Sequence, residues 1–196
     1  MLRAMSIYGW LICALWLTLV AYWAVAANAA RRSSGSRWIW WREIAVRLAF
    51  FALVVLALQV AVARAALPNE WLYPLNTRTP MGLIGLALSV PGIGLAILGR
   101  AYLTRSWRSA ASNEQDAVLV TAGPYGFVRH PIYGGMLLAM LGSAFAQSVF
   151  WLLPLIVYGP QFIHSARREE SLLLQQFTQR YAAYRQRTKM LLPFVL

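Results

Sequence analysis

Cysteine is almost absent from this 196-residue chain, where Cys13 stands alone. No intrachain disulfide can therefore form, and a Cys-rich metal site is excluded. Histidine is nearly as scarce, with two residues, and six acidic residues face 18 Lys and Arg. There is no zinc motif, no Ser-His-Asp arrangement and no P-loop. Pro91-Gly92-Ile93-Gly94 is not a dinucleotide fingerprint, because no strand precedes it. Internal repeats and a separate soluble domain are also missing. The net charge of +12 raises nucleic acid as a partner. However, the basic residues are spread between apolar segments, which fits loops beside anionic lipid and speaks against nucleic acid.

What the chain has in quantity is apolar sequence: 60% of it is hydrophobic. That is too much for an ordinary soluble domain and points to an integral membrane protein. Ser6 to Ala29 is long enough to cross a bilayer at 1.5 Å per residue. Its length and its Trp and Tyr content argue against a cleaved signal peptide. Ile44 to Ala66 is a second span, with Gln59 inside it as interhelical glue. Met81 to Leu103 is a third, in which Pro91-Gly92 predicts a kink or a close helix contact. Residues 132–147 and 149–165 form two shorter apolar runs around Gln147-Ser148, read as a tight helical hairpin. Residues 166–188 carry Leu173, Phe177, Tyr181 and Tyr184 at helical spacing and predict an amphipathic helix. The expected fold is an all-α membrane bundle of five transmembrane helices, with N-terminal helices over 1–111 and a core over 112–196. Arg31, Arg32, Arg37 and Arg42, then Arg100, Arg105 and Arg108, mark the cytoplasmic side by the positive-inside rule. The loop 67–80 and the N-terminus are then external, and the C-terminus is cytoplasmic.

Polar, aromatic, Gly and Pro residues crowd together only at Gly123-Pro124-Tyr125-Gly126-Phe127-Val128-Arg129-His130-Pro131-Ile132-Tyr133-Gly134-Gly135. Gly123-Pro124 forms turns, Pro131 suits the first position of a helix, and His130, preceding a proline, should stay extended. The free N–H groups of such a helix start favour an anion.

This stretch, with Leu119-Val120-Thr121-Ala122 before it, resembles the C-terminal core of the isoprenylcysteine carboxyl methyltransferase family. That wider group includes membrane phospholipid and thiol methyltransferases. The second half of the pattern, Glu169-Glu170 followed by Leu172, Leu173, Phe177, Tyr181, Tyr184 and Leu192-Pro193, is also present. The resemblance covers residues 112–196. It implies S-adenosylmethionine as cofactor and methyl transfer to a lipophilic acceptor as the reaction. It also implies that Val118, Leu119 and Val120 offer backbone groups to the adenine edge.

Other cofactor contacts expected from the residues are the helix start at His130, Pro131 and Ile132, the rings of Tyr125 and Tyr133, and the carboxylate of Glu169. Arg129 and Arg167 are the charged groups expected at the reacting molecules. Each has a plainer reading: His130 as a helix cap, Arg129 as a headgroup contact, the tyrosines as interfacial anchors, and Glu169-Glu170 as a solvated salt-bridge face with Arg167-Arg168. Glu169, Leu173 and Phe177 are four apart, which points Glu169 inward and sets Glu170 at the edge as support. The resembling family usually has an arginine four residues before the first glutamate, near an acceptor carboxylate. Here that position is Ser165, after His164, and Arg167 stands closer to the glutamate. An acceptor without a carboxylate (a lipid amine, a thiol or a phenol) gains from that difference. No general base is identifiable, His164 being the nearest candidate. A non-enzymatic transporter or assembly factor, and a membrane reductase on the same scaffold, are the competing classes.

Overall fold

A computed structural model of the chain describes residues 6–31, 79–112 and 119–191. The expected second span with Gln59, the external loop 67–78, most of the 31–42 basic loop, Val118 and Leu192-Pro193 lie outside them.

Four helices make up most of the described chain: α1 (Ile7–Arg31), α2 (Thr79–Ser112), α3 (Pro131–Ala146) and α4 (Leu152–Arg187). No strand occurs among the described residues beyond one isolated bridge between Val128 and Lys189. The starts of the helices follow local chemistry. Ser6 caps α1 by accepting from the Gly9 N–H at 3.2 Å. Pro80 lies in the first turn of α2 and Pro131 opens α3, where a missing N–H costs nothing. After α3, Ser148 accepts from the Phe150 N–H at 3.3 Å and turns the chain through Val149–Trp151 into α4.

Among the described residues, three helices are long and apolar enough to cross a membrane, over 7–26, 80–104 and 149–187, and α3 is a shorter apolar helix. The third span falls where expected, its apolar part being 80–104, although α2 itself continues to Ser112. One boundary differs from the sequence reading. The second hairpin arm and the amphipathic helix are one element, α4, whose 36 residues reach about 54 Å, well beyond a bilayer's hydrocarbon core. Nothing in the polar composition after residue 165 stops a helix, so it runs on through the apolar boundary. It bends instead at Phe177 (φ −121°, ψ 15°) and Thr178 (φ 10°, ψ −86°).

The chain divides into two compact units that cut across the helices, Met1–Ser89 with Leu141–Pro154, and Val90–Met140 with Leu155–Leu196. In the first, Trp16 donates to Ser143 at 3.0 Å and stacks on Trp151 at 5.1 Å, and Gln147 ties Cys13 to the Trp151 N–H. Such polar glue between apolar helices is expected where lipid offers no hydrogen bonds. In the second unit, α2 and α3 meet at glycines. A Cβ on Gly92 would lie 2.7 Å from the Ala139 nitrogen, so only glycine permits this approach. This is the close helix contact expected at Pro91-Gly92.

Candidate functional site

The second unit contains every described residue of the polar stretch. Gly123 takes φ 61°, and a side chain there would collide with the Tyr102 ring. The turn Gly123–Gly126 then buries Tyr125, whose hydroxyl donates to the Gly99 carbonyl at 3.3 Å. Burial, with help from Tyr184 and Glu169, raises the hydroxyl's pKa well above the usual tyrosine range. The ring is therefore part of the scaffold beneath the loop. Leu119 and Val120 are half-buried ahead of it.

Arg129 and His130 follow, pinned by their backbones to the end of the chain. The Arg129 N–H donates to Lys189 at 2.8 Å, and the His130 N–H donates to Met190 at 3.0 Å. The His130 carbonyl accepts from Gly134 at 3.0 Å as α3 begins, while Pro131 is buried and Ile132 packs beside Gly99. A side chain on Gly134 would run into the Leu191 carbonyl, so the chain end lies directly on the first turn of α3.

Glu170 is the centre of the side-chain cluster. It accepts from the Arg129 Nε at 2.7 Å, lies 3.4 Å from the His130 Nε2 and 3.6 Å from the Arg185 Nε, and its side chain is 5% exposed. Arg129 also donates from Nη1 to the carbonyls of Arg185, at 3.2 Å, and of Thr188. Glu169 is at the rim, 49% exposed, accepting from the Tyr133 hydroxyl at 2.5 Å and lying 3.5 Å from the His130 Nδ1. The rings of His130, Tyr133 and Phe162 run near-parallel, with centroids 5.7 and 5.0 Å apart, and Tyr158 continues the row at 5.9 Å.

This corrects the sequence reading of the glutamates, since Glu170 points inward and Glu169 does not. Steps of four residues drift by about 40° each on a 3.6-residue helix, so Glu169 ends about 80° from Phe177. Glu170, seven residues before Phe177, is only about 20° away and shares the buried face with Ala166 and Tyr181. Nor does Arg167-Arg168 pair with the glutamates. Arg167 is exposed, Ser165 half-buried and His164 exposed. The structure brings His130, Tyr133, Glu169 and Arg129 together and leaves Arg167 outside the cluster. Sequence reasoning missed Phe162, Tyr158 and Arg185, and it used Arg100, which is 5% exposed, only as a marker of the cytoplasmic side. The seven-residue interval Glu170–Phe177–Tyr184 is the signal that marks the true inward face.

His130 lies in the loop outside the membrane-spanning segments. Burial alone would lower its pKa, but the adjacent carboxylates of Glu169 and Glu170 outweigh burial and raise it above the ordinary 6.5. A raised folded-state pKa stabilises the protonated form. That contribution is complete below 6.5 and disappears as pH rises through the folded value. The melting temperature in detergent should therefore fall as pH rises above neutral, and His130→Gln should flatten this slope. A parent melting temperature that climbs over the same range would contradict the assignment.

Among comparisons with known proteins, a model of the family described as phospholipid methyltransferase matches residues 81–180. No curated protein and no solved structure matches the chain. The matched region begins with α2 and ends beyond the Phe177–Thr178 bend, so it takes in Arg129, His130, Tyr133, Glu169 and Glu170.

Proposed function

The chain belongs to the phospholipid methyltransferase family, a family of membrane methyltransferases, and from that premise we propose that it moves a methyl group from S-adenosylmethionine to a lipophilic acceptor lying in the bilayer. The observation that carries this reading is the rim of the cluster. A half-exposed carboxylate, Glu169, stands beside the His130–Tyr133–Phe162 rings at one end of the apolar α3–α4 hairpin. A polar cofactor and an apolar acceptor can both reach such a place.

The residues present fit the cofactor. Glu169 spends one oxygen on Tyr133 and keeps lone pairs for an ammonium or a ribose hydroxyl. The N–H groups opening α3, at Ile132 and Tyr133, suit its carboxylate. The buried His130 Nε2 has no aligned hydrogen-bond partner, though Glu170 lies close by. Leu119 and Val120, with Val118 before them, are the backbone groups assigned to the adenine edge. Tyr125 supports the site from below. Arg129 is taken up by Glu170 and by the carbonyls of Arg185 and Thr188.

When bound, S-adenosylmethionine supplies an electrophilic methyl on sulfur. The protein's part is to bind, orient and exclude water, which supplies much of the rate in a displacement that needs an in-line acceptor. Glu169 and His130 hold the polar end, while Phe162 and Tyr158 continue the ring row along the hairpin, where the acceptor lies. The site and the C-terminus face the cytoplasm in this reading, and the N-terminus faces outward.

S-adenosylmethionine, or its demethylated product, should raise the melting temperature of the purified protein. Saturation at 100 times Kd is worth about 2.7 kcal/mol. A nicotinamide cofactor should not raise it, and His130→Ala and Glu169→Ala should each weaken the shift. A folded parent protein that shows no shift would refute the proposal.

A further inference from the structure

Arg129 has the position of a ligand-binding residue in the sequence, but the structure employs it elsewhere. Its side chain is 8% exposed. Nε is held by Glu170, and Nη1 by the carbonyls of Arg185 and Thr188. Those two carbonyls belong to the last turn of α4 and the residue just beyond it, where a helix runs out of its own donors. A cation is favoured at such an end, and a planar guanidinium can serve several acceptors at once.

The same stretch of chain is gathered onto the loop at other points. Arg129 and His130 donate from their backbones to Lys189 and Met190, Val128 pairs with Lys189, and the Tyr184 hydroxyl donates to the Tyr125 carbonyl at 2.6 Å. Everything on the C-terminal side of these contacts follows the bend at Phe177–Thr178, where the backbone dihedrals leave the helical range. Residues 178–191 are thus a strap whose alignment depends on the loop. The loop's His130, in turn, has its backbone tied to the strap and its ring between Glu169 and Glu170.

We infer that Arg129 is a positioning residue: it clamps the 178–191 strap onto the loop and thereby fixes His130 against the two glutamates, without touching the reacting molecules. The inference rests on the methyltransferase reading for its catalytic consequence, and on the hydrogen bonds alone for the clamp.

The test replaces Arg129 with lysine, which keeps the charge and loses the fork. Amide hydrogen exchange at residues 129, 130 and 184–188 should speed up by about tenfold or more, the factor that 1.4 kcal/mol makes. The apparent Kd for S-adenosylmethionine should rise by a similar factor, while turnover at saturating cofactor stays within about twofold. Phe127→Cys and Lys189→Cys, both at exposed positions, then allow a short thiol cross-linker to tie strap to loop in a Cys13→Ser background. The cross-link should restore both slow exchange and affinity to the Arg129→Lys protein. Unchanged exchange together with collapsed turnover, or affinity that the cross-link fails to restore, would overturn the inference by making Arg129 a direct contact. If Arg129→Lys does not fold, Tyr184→Phe removes one strap bond and should shift exchange and Kd in the same direction by a smaller factor. A shift in turnover alone would contradict the clamp. A parent protein that binds no S-adenosylmethionine refutes the proposed function, and the exchange measurements still decide whether the clamp exists.

Discussion

Replacing Glu170 with alanine should destabilise the protein by roughly 3–5 kcal/mol, the usual cost of stripping one partner from a buried ion pair. The side chain is 5% exposed and is the acceptor for Arg129, which is almost as deeply buried. Removing it leaves a guanidinium without its carboxylate and His130 without one of its two flanking charges. It also creates a gap beside Tyr181, whose hydroxyl is already buried without a hydrogen bond. Glu169→Ala makes the contrast. Its carboxylate is half exposed, so stability should change by no more than about 0.5 kcal/mol. Thermal unfolding of both variants in the same detergent measures the difference. Equal losses, or a larger loss at Glu169, would mean that the glutamates are placed the other way round.

The second large effect concerns the acceptor. A carboxylate is best held by a fixed guanidinium making two parallel hydrogen bonds. The isoprenylcysteine carboxyl methyltransferase pattern that the sequence resembles has an arginine where this chain has Ser165. Arg167 does not compensate, because it is about 200° around the helix from Ser165 and is exposed. A charge-assisted hydrogen bond is worth about 1.5–3 kcal/mol, or roughly a 10- to 100-fold change in rate constant. A prenylcysteine should thus be methylated more slowly, by about that factor, than a lipophilic amine, thiol or phenol. Ser165→Arg should recover much of the deficit. Efficient methylation of prenylcysteine by the parent protein, abolished by Arg167→Ala, would show that Arg167 supplies the missing charge.

These two effects differ in how far the sequence foretold them. The helix start at Pro131, the turn at Gln147-Ser148 and the close contact at Gly92 all follow from single-residue stereochemistry, which is local and therefore readable. The partner of Arg129 is 41 residues away at Glu170, and no local pattern announces such a pairing. The inward glutamate was misread because a four-residue interval was extended over two turns without its drift. Phe162 and Tyr158 looked like ordinary filler of an apolar run. Only the folding of α4 back along α3 sets Phe162 5.0 Å from Tyr133. The strap is the least legible element, since its course depends on backbone bonds to a loop that begins more than fifty residues earlier.

In the proposed function, the Glu169–His130–Tyr133 rim serves methyl transfer at the membrane. The most direct measurement incubates the purified protein, in bilayer discs made from a natural lipid extract, with methyl-labelled S-adenosylmethionine and follows label into the organic phase. The parent protein should move label into lipid-soluble product, and Glu169→Ala, which remains folded, should move about 100-fold less. Absence of transfer by folded parent protein in any lipid extract, or undiminished transfer by Glu169→Ala and His130→Ala, would contradict it.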